Sequence, residues 1–193
     1  SKSYRGRIHQ DSGERTVNKD PRPSEVRMSE LMTPESANFL GNVFGGTILA
    51  MLDKAAYVTA SRFAGRTCVT ASFDRVDFHS PIYVGELVHM TGRVVYVGRT
   101  SVQVEVQVHA ENFKEKTYRH TNTCTATLVA IDDQHKPTPV PELEKKTREQ
   151  MIAFLIGKSR RELVQKHKQE LADMTSRIEA MSDEELRKAV EDG

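Results

Sequence analysis

The feature that most constrains the fold is an apolar run from Thr47 to Phe63, TILAMLDKAAYVTASRF. It is long enough for roughly four to five helical turns, and small or apolar residues fall on nearly every face of that helix. Such a helix is predicted to be wrapped by other elements. An antiparallel sheet of about five strands, curled around the helix, is the economical way to supply a concave cover.

Strand patterns before and after this run agree with that architecture. Ser101 to Ala110 alternates cleanly, with valine at every second position from Val102 to Val108 and glutamine or glutamate between, which predicts a half-buried antiparallel strand. The other predicted strands are Val26 to Met32, Cys68 to Val76, Leu87 to Val97 and Tyr118 to Ile131. The sequence therefore predicts an α+β fold in the order strand, long helix and four strands.

The chain divides into three predicted segments. Residues 1–23 are polar and charged without apolar periodicity, so we expect a disordered arm. Residues 24–136 form the predicted domain, and Pro137, Pro139 and Pro141 mark its end. Residues 142–193 are predicted to be a charged helical extension.

The extension carries a stripe with alternating spacings of three and four residues, which suits a coiled-coil seam or an amphipathic helix. Its members are Val164, His167, Leu171, Met174, Ile178 and Met181. Ser182 and Glu185 then resemble a capping box that opens a last short helix. Two hypotheses stay open for the extension: it folds back on its own domain, or it takes part in assembly.

Charge and cysteine content narrow the partners and the setting. The net charge is +1, from 28 basic and 27 acidic residues, so no overall field would gather nucleic acid or an anionic membrane. No run approaches the roughly 18 apolar residues of a membrane span, and we expect a soluble chain without a signal peptide. Cys68 and Cys124 lie far apart and outside any C-x-x-C pattern, which fits a reducing, cytoplasmic setting.

Asp53 is the most informative single position. A carboxylate within an apolar helix costs several kcal/mol of desolvation unless it is paired, hydrated or functional. The structural alternatives are a pair with Lys54 or a place on the one wet face of the helix. Successive helical residues diverge by about 100°, so Lys54 is a poor partner.

Gly45 and Gly46 are expected directly before the helix, where free N–H groups and the helix dipole favour negative charge. An oxyanion could bind there, although an ordinary glycine turn explains the pair equally well. Gly46 precedes Asp53 by seven residues, which is two helical turns on one face and about 10 Å of backbone. That gap implies that part of any shared site comes from elsewhere.

The stretch from Asn38 to Asp53, NFLGNVFGGTILAMLD, resembles the signature of the hotdog-fold acyl-CoA thioesterases, the family of brain acyl-CoA hydrolase and its single-domain bacterial relatives. An asparagine, a Gly-Gly helix start and an acid all fall at the family's spacing. The resemblance covers roughly Val26 to Ile131. It extends to DRVDFHSPI at 74–82, Gly85-Glu86 and VGRTS at 97–101.

The resemblance implies hydrolysis of fatty acyl-CoA to free fatty acid and CoA, at a site between two hotdog units. Asn38 of one protomer would meet Asp53 of its partner, and the Gly46 N–H, with Gly45 beside it, would stabilise an oxyanion. Asp53 would act as general base on water or, as the alternative, as a nucleophile forming an anhydride. Neither a metal nor a cofactor is expected, because the thiolate of CoA is a good leaving group.

For CoA itself the resemblance implies the tight loop of Arg99, Thr100 and Ser101, whose guanidinium, hydroxyls and backbone donors suit phosphates. Arg75 is a weaker candidate for the same role, because it could instead pair with Asp74 or Asp77. His79 is more simply a surface residue at a strand end, and His109 and His120 are expected to be structural.

The implied assembly is a homo-oligomer, with a dimer as catalytic unit and a hexamer built as a trimer of dimers. Valine-rich faces of the sheet are expected to supply its contacts. Two other functions compete: a non-catalytic acyl-CoA binding or sensing module, and a dehydratase acting on hydroxyacyl thioesters. The intact Asn38 and Asp53 argue against the first. The absence of histidine between His9 and His79 argues against the second.

Overall fold

The computed structural model describes residues 24–74 and 76–192, and the predicted arm at 1–23 lies outside that range. Five strands form one antiparallel sheet in the order β1-β3-β4-β5-β2. The strands are β1 (Glu25–Leu31), β2 (Cys68–Phe73), β3 (Leu87–Val97), β4 (Ser101–Asn112) and β5 (Thr117–Ala130), and the helices are α1 (Gly45–Ala64), α2 (Arg148–Glu179) and α3 (Asp183–Glu191), with a single 3-10 turn at Pro34–Ser36. A curled sheet packed on one long helix is the hotdog arrangement, as the sequence predicted.

The inner face of the sheet packs on α1. Val102, Val104, Val106 and Val108 are fully buried there, which confirms the alternation predicted for β4. β3 approaches the helix so closely at Gly92 that a side chain would collide with the Thr59 hydroxyl. The valine face is therefore buried in the chain's own core, and the expectation that it supplies contacts between copies is wrong.

α1 differs from its prediction in two respects. It begins at Gly45, two residues early, so both glycines lie in its first turn and not before it. It is also covered on one side only, because the sheet of a single chain surrounds about half of the cylinder. Its buried residues are Ile48, Met51, Leu52, Ala55, Ala56, Thr59, Ala60, Phe63 and Ala64.

β2 also departs from its prediction, since it ends at Phe73 and a register shift separates Thr70 from Ser72. A bulge of this kind inserts a residue and turns the following side chains to the other face of the sheet. Thr70 is level with Leu128 of β5, whereas Ser72 is level with Thr127.

α2 begins with a capping box between Thr147 and Gln150, and the capping box predicted for Ser182 and Glu185 opens α3. The first half of α2 docks on the outer face of the sheet. Gly157, the one buried residue of α2, lies where a Cβ would come within 2.8 Å of the Tyr96 Cβ.

The residues of α2 from 162 to 179 are all exposed, and so is most of the predicted stripe. The exposed members include Val164, Leu171, Met174 and Ile178. Folding back on the domain therefore holds for the first part of the extension, and the assembly hypothesis concerns the remainder.

Candidate functional site

Asp53 lies on the uncovered side of α1. Leu49 and Tyr57 stand one turn before and one turn after it and are 41% and 43% exposed. Asp53 is exposed as well, so in a single chain its carboxylate stays hydrated, which is the wet-face alternative that the sequence left open. A carboxylate flanked by exposed apolar side chains is typical of a surface that another molecule covers.

Thr70 of β2 fixes that carboxylate. Its Oγ1 donates a hydrogen bond to Asp53 Oδ1 at 2.7 Å, which leaves Oδ2 available to accept a proton. Sequence reasoning missed Thr70. The one signal was a hydroxyl in the strand after the helix, and the bulge that follows prevented simple alternation from assigning its face.

Asn38 sits in a tight loop before α1. Its Oδ1 accepts hydrogen bonds from the backbone N–H groups of Leu40, at 2.8 Å, and Asn42, at 3.2 Å. Because both partners are donors, the side-chain amide is oriented with its Nδ2 outward, and Nδ2 has no partner within residues 24–74 and 76–192. The loop therefore presents a fixed N–H donor.

The start of α1 adds further donors beside this loop. Phe44 caps the helix without a side-chain hydrogen bond, and in the described part of the chain the N–H groups of Gly45 and Gly46 have no acceptor. Asn38 and Gly45 line a pocket of about 340 Å³, which the segment from Phe78 to Ile82, including His79, closes on the other side. This pocket can receive an electron-rich oxygen.

Asp53 does not line that pocket. It follows Gly45 by eight residues, which places it about 12 Å farther along the helix axis. One chain thus brings Asn38 together with the helix start, and Asp53 together with Thr70, but leaves the two pairs apart.

The turn of Arg99, Thr100 and Ser101 lies at the same end of the sheet as Thr70. Val102 and Thr70 both lie level with Leu128, so two strand spacings, about 10 Å, separate them. Arg99 is exposed, whereas Ser101 is buried and its Oγ accepts a hydrogen bond from Arg161 Nη1 at 2.9 Å. The Ser101 hydroxyl is therefore already engaged by α2.

The other candidates are placed as follows. Arg75 lies outside the described residues. His109 stacks on Tyr118 with ring centroids 5.0 Å apart, and burial together with the nearby His120 and His89 lowers its pKa.

Within the described residues, no cluster of three or more His, Cys, Asp or Glu could hold a metal ion, and no helix is long and apolar enough to cross a membrane.

Comparison with known proteins identifies the family to which the chain belongs. Residues 40–116 match the family model described as the thioesterase superfamily. VdlD of Helicobacter pylori is 39% identical over 140 residues, which is 72% of this chain and 80% of that protein. An uncharacterized acyl-CoA thioester hydrolase of Zymomonas mobilis is 36% identical over 63% of this chain and 81% of its own length. The chain belongs to the thioesterase superfamily.

Other members of the superfamily are matched over part of their length or in three dimensions. The cytosolic acyl coenzyme A thioester hydrolase of Mus musculus is 38% identical over 55% of this chain but only 29% of that protein. A hexameric acyl-CoA thioesterase superposes with a TM-score of 0.72 at 37% identity, over 75% of this chain and 93% of its own.

A second solved member is the acyl-CoA hydrolase of Staphylococcus aureus in complex with butyryl-CoA and CoA. Its TM-score is 0.71 at 29% identity, over 79% of this chain and 93% of its own. Three single variants of that hydrolase have also been solved, in which alanine replaces an asparagine, an aspartate or a threonine. The aspartate follows the asparagine by 15 residues, and the threonine follows the aspartate by 17. Asn38, Asp53 and Thr70 have the same two spacings in this chain.

Proposed function

We propose that this protein is an acyl-CoA thioesterase that hydrolyses fatty acyl-CoA to free fatty acid and CoA, with each site built from two protomers. The observation that carries the proposal is the pairing of Thr70 with Asp53, together with an asparagine donor at the spacing found in the Staphylococcus aureus hydrolase. Because Asn38 and Asp53 of one chain lie apart, a second copy is needed to bring them together.

The proposed chemistry uses two side-chain atoms that have no hydrogen-bond partner among the described residues, Asp53 Oδ2 and Asn38 Nδ2. Asp53 Oδ2 removes a proton from water, while Thr70 holds Oδ1 and so sets the orientation of the carboxylate. The resulting hydroxide attacks the thioester carbonyl, and Asn38 Nδ2 of the partner protomer donates to the thioester oxygen or to the attacking water. The α1 helix start beside that same Asn38 supplies the Gly46 N–H, which stabilises the tetrahedral oxyanion, with Gly45 beside it.

The tetrahedral intermediate then collapses by breaking its C–S bond. The CoA thiolate departs and takes up the proton that Asp53 removed from water, which leaves Asp53 ionised again, and the fatty acid is released. A thiolate is a good leaving group, so the proposed reaction uses neither a metal nor a cofactor, and CoA enters only as part of substrate and product. Arg99 and Thr100 are proposed to contact the phosphates of CoA, as is Arg75.

The proposed catalytic unit is a side-by-side dimer that buries the α1 stripe of Leu49, Asp53 and Tyr57. A hexamer, as a trimer of such dimers, is proposed from the hexameric relatives. A cytoplasmic location is proposed as well, supported by two free cysteines and by the cytosolic mouse relative.

An assay of thiol release from a panel of acyl-CoAs tests the function and its residues together. The parent should release thiol, and Asp53→Ala should lower kcat/KM by about 1000-fold, the range of general-base catalysis. Asn38→Ala should lose activity as well. Thr70→Val should lower kcat/KM about tenfold, because the Asp53 carboxylate loses its only described hydrogen-bond donor. Thr70→Ser is the matched control that keeps the hydroxyl. A parent that binds acyl-CoA without releasing thiol, or an Asp53→Ala variant of full activity, would overturn the proposal.

A further inference from the structure

A pocket of about 270 Å³, lined mostly by polar and charged residues, lies between α2 and the outer face of the sheet, on the side opposite to Asp53. Asp74 and Gln103 line its sheet wall, and Arg161, Val164 and Lys168 of α2 line the other. The sequence predicted Gln103 to be solvated, but α2 covers it and leaves it 4% exposed.

The sheet wall has unused hydrogen-bond acceptors. Gln103 Oε1 and Asp74 Oδ2 are buried and have no hydrogen-bond partner within residues 24–74 and 76–192. Burial raises the pKa of the Asp74 carboxyl, and the nearby Arg160 offsets this only in part. Buried acceptors without partners are costly, so they are expected to meet a donor such as an amino group when a ligand is bound.

The helical wall has unused positive charge. Among the described residues, neither Arg161 nor Lys168 lies within ion-pair distance of a carboxylate, whereas the neighbouring Arg160 reaches Glu105 at 3.8 Å and Lys166 reaches Glu170 at 3.7 Å. Arg161 instead donates to Ser101 and lies over the Tyr96 ring. A guanidinium that has no carboxylate partner is well suited to bind a phosphate.

We propose that this pocket, which we name the α2 pocket, binds the 3′-phosphorylated ADP portion of CoA. Arg161 and Lys168 contact its phosphates, and the exocyclic amine of the adenine donates to Asp74 or Gln103. This inference rests on the proposed function. The α2 pocket adjoins the turn that is proposed to contact the CoA phosphates, since Arg161 Nη1 donates to Ser101 Oγ at 2.9 Å. The extension thus belongs to the substrate site.

Two thioesters with the same acyl group separate this role from a structural one. Acyl-CoA carries the nucleotide and acyl-pantetheine lacks it. Arg161→Ala should raise KM for acyl-CoA about tenfold, as expected for a lost charge-assisted hydrogen bond, with kcat unchanged. Its kinetics with acyl-pantetheine should equal those of the parent, which also shows that the variant is folded.

Lys168→Ala should raise KM for acyl-CoA by a smaller factor, and Lys166→Ala is its matched control. Lys166 loses the same charge from the same helix, but its partner is Glu170 and it does not line the α2 pocket, so KM should not change. The proposal is wrong if Arg161→Ala leaves KM for acyl-CoA unchanged, or if it alters the kinetics of both thioesters equally.

Calorimetry with adenosine 3′,5′-bisphosphate tests the α2 pocket without catalysis. The parent should bind the nucleotide, and Arg161→Ala should bind it about tenfold more weakly. If the parent binds the nucleotide but hydrolyses neither thioester, the proposed function fails while the nucleotide site stands. If the parent hydrolyses acyl-CoA but does not bind the nucleotide, the site fails alone.

Discussion

The two long helices pack on opposite faces of one sheet, and they are held there in different ways. α1 buries nine residues, most of them apolar, against the inner face, whereas α2 fully buries only Gly157 and packs the half-buried Phe154 against the Tyr96 ring. Arg160 bonds Thr125 and Arg161 bonds Ser101. Apolar area fixes α1 as part of the core, while a close approach, one aromatic contact and two arginines fix α2.

The exposed sides of these helices differ as well. On α1, the apolar residues Leu49 and Tyr57 flank a carboxylate that is bonded to Thr70. On the outer part of α2, the apolar stripe is bordered by charged pairs such as Lys166 with Glu170. Under the proposed function, covering the exposed side of α1 completes a reaction site, whereas covering the outer part of α2, away from the α2 pocket, would serve assembly.

Among changes to the exposed sides of the two helices, the largest effect is expected from a charge on α1. Leu49→Asp should prevent dimerisation and lower kcat/KM by roughly 100-fold or more, because the partner's Asn38 no longer reaches Asp53. The fold should survive, since Leu49 is 41% exposed in the single chain. Light scattering and the thiol-release assay give mass and activity on one sample.

Leu171→Asp is the matched control on α2, because Leu171 is 48% exposed and undergoes the same change. It should leave kcat/KM within about twofold of the parent, as expected for a surface substitution away from the reacting groups. Equal losses of activity in the two variants would contradict the distinction between the helices.

A smaller effect is expected where α2 docks. Gly157→Val should lower the free energy of unfolding by about 1–3 kcal/mol, because a Cβ there would lie 2.8 Å from the Tyr96 Cβ. Hydrogen exchange should show faster exchange along α2 and unchanged protection in β4. Ser159→Val, on the exposed side of α2, is the control. Unchanged protection of α2 in Gly157→Val would show that the close approach does not hold the helix.

The contrast between the helices also explains how much of the fold the sequence could predict. The apolar length of α1 and the valine alternation of β4 are local patterns, and both were confirmed. The strand order and the docking of α2 depend on contacts between distant residues. Gly157 contacts Tyr96, which lies on a distant strand, and no local periodicity in the sequence could predict that contact.

The candidate site divides in the same way. Asp53 was evident as a charge in an apolar run, and of the structural alternatives left open the structure selects the exposed face of the helix. Thr70 was missed because a bulge interrupts the alternation that would have assigned its face. Ser101 was predicted as a free hydroxyl for CoA, and its engagement by Arg161, 60 residues away, could not be inferred from spacing.

The central claim is that Asn38 and Asp53 act together across two protomers. Mixing Asn38→Ala and Asp53→Ala subunits, after reversible dissociation, tests it most directly. Each hybrid dimer would hold one site with both residues intact and one with neither, so an equal mixture of two nearly inactive proteins should recover about a quarter of the parent's activity. If the mixture is no more active than its components, although mass measurements show that hybrids have formed, Asn38 and Asp53 do not share a site across the interface.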